Sequence, residues 1–325
     1  MKALVYEGNE TLVYRDAPDP DTDGTDEHLI KVEAVGICGS DMHAYHGHDS
    51  RRPAPLILGH EAAGTIVGGP RDGERVTVNP LVITQSCPAC DAGRENICPT
   101  RELISMPPRE GAFAEYVRIP GENLVTVPDH VPFERAALAE PLSVSWHAAK
   151  LGLDALHPAM DRKVLVIGGG AIGLAAALCL RAMGCDDIAI AEPNEARRAF
   201  LNDRTSETAV AHADGAYPLV IDAVGYAATR AIASERTSPG GVIVHIGLGE
   251  DLGGLDIRRM TLQEITFIGS YCYTKADFRE TSDALFDGRL GALDWFEERP
   301  LSDGAHAFRD LDQHAVAAPK IVLRP

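Results

Sequence analysis

The run Val164-Leu165-Val166-Ile167-Gly168-Gly169-Gly170-Ala171-Ile172-Gly173 constrains this chain more than any other stretch. It contains Gly-x-Gly-x-x-Gly, follows an apolar strand-like segment and opens an apolar helix-like one. That is the context in which the spacing binds a dinucleotide. Gly168 is expected to make the tight turn. Gly170 lets the backbone approach a pyrophosphate at the positive end of the helix, and Gly173 lets helix and strand pack closely. Ala171 and Ile172 lie in the same loop and are counted with the cofactor contacts. Glu192 ends the next apolar run, 19 residues after Gly173. An acid there accepts hydrogen bonds from the adenosine ribose hydroxyls and repels a 2′-phosphate, which favours NAD over NADP. Arg197 and Arg198 follow closely and could soften that preference, although a solvated helix face is the plainer role for both.

Around this motif the second half alternates strand and helix: Lys163–Ile167, Leu174–Met183, Asp187–Ala191, Leu219–Ala223 and Val242–Ile246. Such alternation predicts a doubly wound parallel sheet with helices on both faces. The first 130 residues read as β-rich, with short runs at Ala3–Tyr6, His28–Val35, Ala62–Val67, Glu74–Val78 and Ala114–Ile119 separated by Gly, Pro and Asp. The texture turns helical at Ala136–Ala139 and Val144–Leu151. A helix over Phe278–Asp287 and a strand over Lys320–Leu323 close the pattern.

At 325 residues the chain is long enough for two domains. Its 48 acidic and 30 basic residues leave a net charge of −18. That argues against nucleic acid and against an anionic membrane surface, since both need clustered Lys and Arg. Six acids and no base fall between Asp16 and Glu27, with two prolines and a glycine. Such a run is expected to be a solvated loop. The apolar stretch Val164–Leu180 is short for a membrane span and carries four glycines. The opening residues are too short an apolar run for a signal peptide. Seven cysteines, an odd count, argue against a disulfide scaffold. The expectation is a cytoplasmic protein with reduced thiols.

Three short segments bring metal-ligating chemistry. Gly36-Ile37-Cys38-Gly39-Ser40-Asp41-Met42-His43 is followed by Gly59-His60-Glu61 and then by Ala139-Glu140-Pro141-Leu142-Ser143. A thiolate, an imidazole and a carboxylate are what a catalytic zinc uses when one position stays open. Taken singly, Cys38 is more often a small buried hydrophobe, and His60 a satisfied interior histidine.

At these residues the sequence resembles the medium-chain, zinc-dependent alcohol dehydrogenases. The resemblance spans nearly the whole chain and rests on Gly36–His43, Gly59–Glu61, Glu140–His147, the glycine motif and the tail. Glu140-Pro141-Leu142-Ser143-Val144 is similar to the sorbitol and polyol dehydrogenase branch. The resemblance implies a GroES-like catalytic domain over 1–141 and 272–325, with a Rossmann dinucleotide-binding domain over 142–271. It implies that Cys38 and His60 ligate zinc, with the carboxylate from Glu61 or Glu140. It makes Ser40 the acceptor of the alcohol proton and His43 the group that passes it to solvent, and it sets Lys320 on the pyrophosphate. It also implies a second, structural zinc lobe of four cysteines. Cys87, Cys90 and Cys98 match the last three positions, and Thr84 stands at the first. Three thiolates holding zinc with water or a neighbouring Asp, and a lobe that has lost its metal, both remain open. Cys179, Cys185 and Cys272 are expected to be packing residues.

The implied function is hydride transfer between NAD and an alcohol, either a polyol or a secondary alcohol. Zinc acts as a Lewis acid on the alcohol oxygen. Cys272-Tyr273 stands where polyol dehydrogenases often carry Arg-Tyr, which removes a hydrogen-bonding fork and leaves Tyr273 and the loop Tyr45–Asp49 as substrate candidates. Zinc-free quinone or enone reductases of the same superfamily lack the Cys38, His60 and Glu140 set. A non-enzymatic NAD-binding protein has no need of Ser40 and His43, and a methyltransferase none of the zinc set. Relatives assemble as homodimers or homotetramers through nucleotide-domain strands, here expected at Val242–Leu248.

Overall fold

The computed structural model describes residues 1–22 and 25–325, so Asp23 and Gly24 of the acidic run lie outside the described residues. The chain divides into two compact units. One comprises Met1–Glu140, Thr274–Asp287 and Phe296–Pro325, and the other Pro141–Tyr273 and Gly288–Trp295.

The first unit is built on an antiparallel framework. Strand Glu27–Gly36 pairs with Glu61–Val67 on one side, and with Tyr116–Pro120 and the closing strand Lys320–Arg324 on the other. Its register sets Gly36 opposite Glu61 and Val322 opposite Gly36, so three distant segments meet at one point. Strand Phe296–Pro300 extends the sheet, parallel to Lys320–Arg324. Its sequence, Phe-Glu-Glu-Arg-Pro, shows no apolar alternation because it occupies the sheet edge, where charges and proline are tolerated. The hairpin of Lys2–Gly8 with Thr11–Asp16 was likewise invisible beyond its buried first strand. Ala114 makes only an isolated bridge to Ala3, and the strand beyond it starts at Tyr116.

The acidic segment is exposed at Asp16, Asp19, Asp21 and Asp26, as its composition suggests. Asp16 ends one strand and Glu27 begins another. Asp19 pairs with the N-terminal ammonium, and Glu27 with Arg109 and Arg118.

The second unit holds a six-stranded parallel sheet. Its spatial order is Thr208–Val210, Asp187–Ala191, Lys163–Ile167, Tyr217–Asp222, Thr237–His245 and Thr266–Gly269. This is the 3-2-1-4-5-6 order of a Rossmann fold, with the switch point beside Lys163–Ile167. Helix Ala171–Ala182 is buried over Gly173–Leu180, as expected of a helix apolar on every side. Leu165, Ile167, Val220 and Ile243 form the centre of one core cluster. Full burial of such side chains contributes roughly 1.5–3 kcal/mol each. Val242–Leu248 does not offer a pairing edge to a second copy. Its strand is hydrogen-bonded on both sides, by Tyr217–Asp222 and by Thr266–Gly269. The edge strand on that side is Thr266–Gly269.

Candidate functional site

The register described above puts the ligand-bearing segments together. Gly36 is required opposite Glu61, because a Cβ there would collide with Glu61 Oε2. Two residues on, Cys38 caps helix Gly39–Tyr45. Asp41 closes that turn: its Oδ2 accepts the Cys38 backbone N–H at 3.0 Å, and its Oδ1 accepts from Gly59 N–H at 3.3 Å. Gly59 has a φ of +89° and lies under the Phe113 ring, leaving no room for a side chain. It swings His60 back towards Cys38.

The Cys38, His60 and Glu61 ligand atoms all lie within 4.8 Å of one another. His60 is buried, with Nδ1 3.5 Å from Asp41 Oδ1 and 3.4 Å from Ser105 Oγ. A second ring atom held by carboxylate or hydroxyl is how a metal-binding histidine is oriented. Glu61 is fully buried. Its Oε1 accepts from Lys320 Nζ at 2.6 Å, while its Oε2 has no hydrogen-bond partner. A buried carboxylate oxygen left so would cost heavily without a cation beside it. One thiol, one imidazole and one half-satisfied carboxylate therefore fit a zinc held by three protein ligands with a fourth position open. Glu140, at the start of helix Ala139–Ala155, is buried and close enough to act on the Lys320 charge, but falls outside that three-residue cluster.

Lys320 lies beside Glu61. It is 3% exposed, and its ammonium donates to Glu61 Oε1 and to Ile37 O at 2.9 Å. A phosphate contact would have to compete with that buried ion pair. Burial works against the charge, but Glu61, Cys38 and Glu140 outweigh it and raise the pKa above the ordinary lysine value. Three further residues escaped sequence reasoning: Asp41, Ser105 and Arg52. The buried Arg52 donates to Ser105 O, to Ser40 O and to Asp49, tying the Ser40 helix to the segment that supports His60. The only sequence trace of these was Asp41, three residues after Cys38 in a helix-start position.

Ser40 and His43 sit three apart on helix Gly39–Tyr45, both half-buried. Burial, with His48 nearby, depresses the His43 pKa and keeps the ring ready to accept a proton. Of the substrate candidates, Tyr45 packs on Phe308, and Tyr273 is among the fully buried side chains.

In the second unit the glycine loop has the geometry its spacing predicts. Gly168 has a φ of +97° and backs onto Val224, and a Cβ at Gly173 would collide with Gly168 O. Gly170 caps helix Ala171–Ala182, and the nearest atom to its absent Cβ is Arg197 Nη1 at 3.8 Å. Ala171 and Ile172 are half-buried in the first turn. Glu192 Oε2 accepts from Gly169 N–H and its Oε1 from Asn194 N–H, both at 2.8 Å. The acid thus braces the turn with lone pairs to spare for hydroxyl donors.

Cys87, Cys90 and Cys98 also come together, in a lobe of the first unit. The Thr100 hydroxyl draws the Cys98 thiol down to about 7. Burial and a hydrogen bond with Cys87 push the Cys90 thiol up to about 11.

Residues 24–129 match the alcohol dehydrogenase GroES-like domain, and residues 171–287 match the zinc-binding dehydrogenase domain. The chain is 32% identical to L-galactonate-5-dehydrogenase of Escherichia coli, over 90% of this chain and 89% of that one. It belongs to the zinc-dependent medium-chain alcohol dehydrogenase family. A probable diacetyl reductase, (R)-acetoin forming, of Saccharomyces cerevisiae is 31% identical over 89% of this chain and 81% of its own length. An Escherichia coli alcohol dehydrogenase solved with NADH superposes with a TM-score of 0.88 at 26% identity, covering 100% of this chain and 99% of that one. The chain is accordingly an oxidoreductase acting on alcohols, with zinc and a nicotinamide cofactor. Among the described residues, no helix is long and apolar enough to cross a membrane.

Proposed function

We propose that this dehydrogenase oxidises a secondary alcohol carrying a neighbouring oxygen function to the ketone, reversibly, with NAD. The observation that carries the reading is the Cys38–His60–Glu61 set, its His60 and Glu61 buried and its Cys38 half-buried, with one Glu61 oxygen left without a partner. The substrate class is supported by the names of the two relatives, a sugar-acid dehydrogenase and a diacetyl reductase. Cys272, in place of an arginine fork, argues against sorbitol itself.

Zinc held by Cys38, His60 and Glu61 or Glu140 supplies a Lewis acid that makes the alcohol proton labile near neutral pH. The protein's own work is to hold and move that proton. Ser40 Oγ accepts it, a hydroxyl being able to donate and accept in one step. His43, with its depressed pKa, stays neutral enough to take it on and release it to water. Asp41 and Ser105 keep His60 in one orientation, and Lys320 holds Glu61 by one carboxylate oxygen. In the second unit, the turn at Gly168–Gly173 receives the pyrophosphate, and Glu192 selects an unphosphorylated ribose.

Removing metal with a chelator should abolish NAD reduction across a panel of polyols and secondary alcohols, and zinc should restore it. Run with NADP, the same assay should be slower. Chelator-insensitive turnover would sink the metal role, and faster turnover with NADP would overturn the reading of Glu192. A homodimer or homotetramer is proposed through the free edge at Thr266–Gly269. A monomer in sedimentation velocity at micromolar concentration would refute it.

A further inference from the structure

Three histidines, His43, His46 and His48, fall within six residues where helix Gly39–Tyr45 ends. The middle one is claimed from two directions. His46 Nε2 lies 3.0 Å from Asp312 Oδ1, at the end of helix Gly304–Asp312. Its Nδ1 lies 3.6 Å from Glu10 Oε1, in the turn of the hairpin Lys2–Gly8 with Thr11–Asp16. A neutral imidazole has one N–H, so only the doubly protonated ring presents a donor to both carboxylates. The backbone closes around the same point. Glu10 N–H donates to Tyr45 O at 2.7 Å, and His48 N–H donates to His43 O at 2.9 Å. The Tyr45 ring meets that of Phe308, on the same C-terminal helix, at 5.5 Å, and Arg309 of that helix adds a positive charge near the Tyr45 phenol. The His46 and His48 rings stand 5.8 Å apart.

We propose that His46 is a positioning residue for the proton relay: its bridge between Glu10 and Asp312 fixes the end of the helix that carries Ser40 and His43, and sets a positive charge three residues from His43. The inference rests on the relay reading of His43 and deepens it. His43 must be neutral to accept the alcohol proton, and a cation close by disfavours its protonated form. Burial is the largest cause of the low His43 pKa. His48, His46 and Arg52 lower it further, and Asp49 opposes them. Asp49 is itself held by Arg51 at 2.8 Å and by Arg52 at 2.9 Å. Wherever His46 holds both protons, His43 is held back from gaining its own, so the two rings do not titrate independently. The relay thereby keeps its acceptor at a lower pH than burial alone would allow.

The test titrates the full-length, zinc-loaded protein by NMR of isotope-labelled histidine rings, with the His43 signal identified by its loss in His43→Gln. His46→Gln keeps a hydrogen-bonding side chain without the charge. It should raise the His43 midpoint by roughly half a pH unit, the effect of one unit charge across a helical turn in largely aqueous surroundings. His46→Lys restores a cation between the two carboxylates and should return the midpoint close to its wild-type value. The acid limb of NAD reduction, measured with the alcohol panel above, should move to higher pH in His46→Gln, because the acceptor is then lost to protonation sooner as pH falls. A His43 midpoint indifferent to His46→Gln would overturn the proposal. An equal rise in His46→Lys would overturn it too, since that marks a packing effect and not a charge. A midpoint that moves while the acid limb stays still would overturn the relay role of His43, and this inference with it. Failure of the charge coupling is thus read apart from failure of the relay.

Discussion

Replacing His60 by alanine is expected to lower kcat/KM at least about a thousandfold and to lose the zinc held by the Cys38–His60–Glu61 centre. Lewis-acid stabilisation supplies several kcal/mol at the transition state, and each 1.36 kcal/mol is a factor of ten. His60 is buried, braced by Asp41 and Ser105, and lies within 4.8 Å of the Cys38 and Glu61 ligand atoms. No neighbouring nitrogen or sulfur of that cluster can take its place. Ser40→Ala provides the contrast. A proton acceptor contributes about a hundredfold or more, so turnover should fall by that order while zinc stays bound. Metal analysis alongside steady-state kinetics separates the two. A His60→Ala protein that keeps its zinc and most of its activity would remove the centre from the mechanism.

The two sites differ in how far the sequence revealed them, and the difference is physical. The glycine turn is local. A strand, a left-handed glycine and a buried helix lie within twenty residues, and each leaves a mark of its own: apolar run, glycine spacing, apolar run. The zinc centre is not local. Cys38, His60 and Glu61 meet because Gly36 pairs opposite Glu61 across two strands, and no periodicity in either strand encodes that register. Only the resemblance joined them. The burial of Lys320 was not legible, because a basic residue near the terminus reads the same in solvent or in the core. Its position follows from Ile321 O accepting the Ile37 N–H, a pairing across most of the chain. Arg52 and Ser105 left no signal, since Arg52 acts on the Ser105 carbonyl and Ser105 on the His60 ring, both far away in sequence. The same reason hid the sheet edge. Val242–Ile246 is apolar because it is interior, and the strand that borders solvent is the less apolar Thr266–Gly269.

The buried ion pair of Lys320 and Glu61 makes a second large effect predictable, and its dependence on metal is the informative part. Lys320→Met removes the cation but leaves a carboxylate that is fully buried. Breaking a buried pair from one side costs about 3–5 kcal/mol, because the remaining charge is uncompensated. The metal-free protein should show that loss in denaturant unfolding. With zinc bound, Glu61 has a second positive neighbour at Oε2, so the zinc-loaded variant should lose less than the apo form. Removing both charges, as in Lys320→Met with Glu61→Gln, should recover more than half of the apo loss, since the stranded charge is then gone. Equal losses with and without zinc would mean that Glu61 does not face the metal. Glu140 would then be the carboxylate to test, by the same cycle against Lys320.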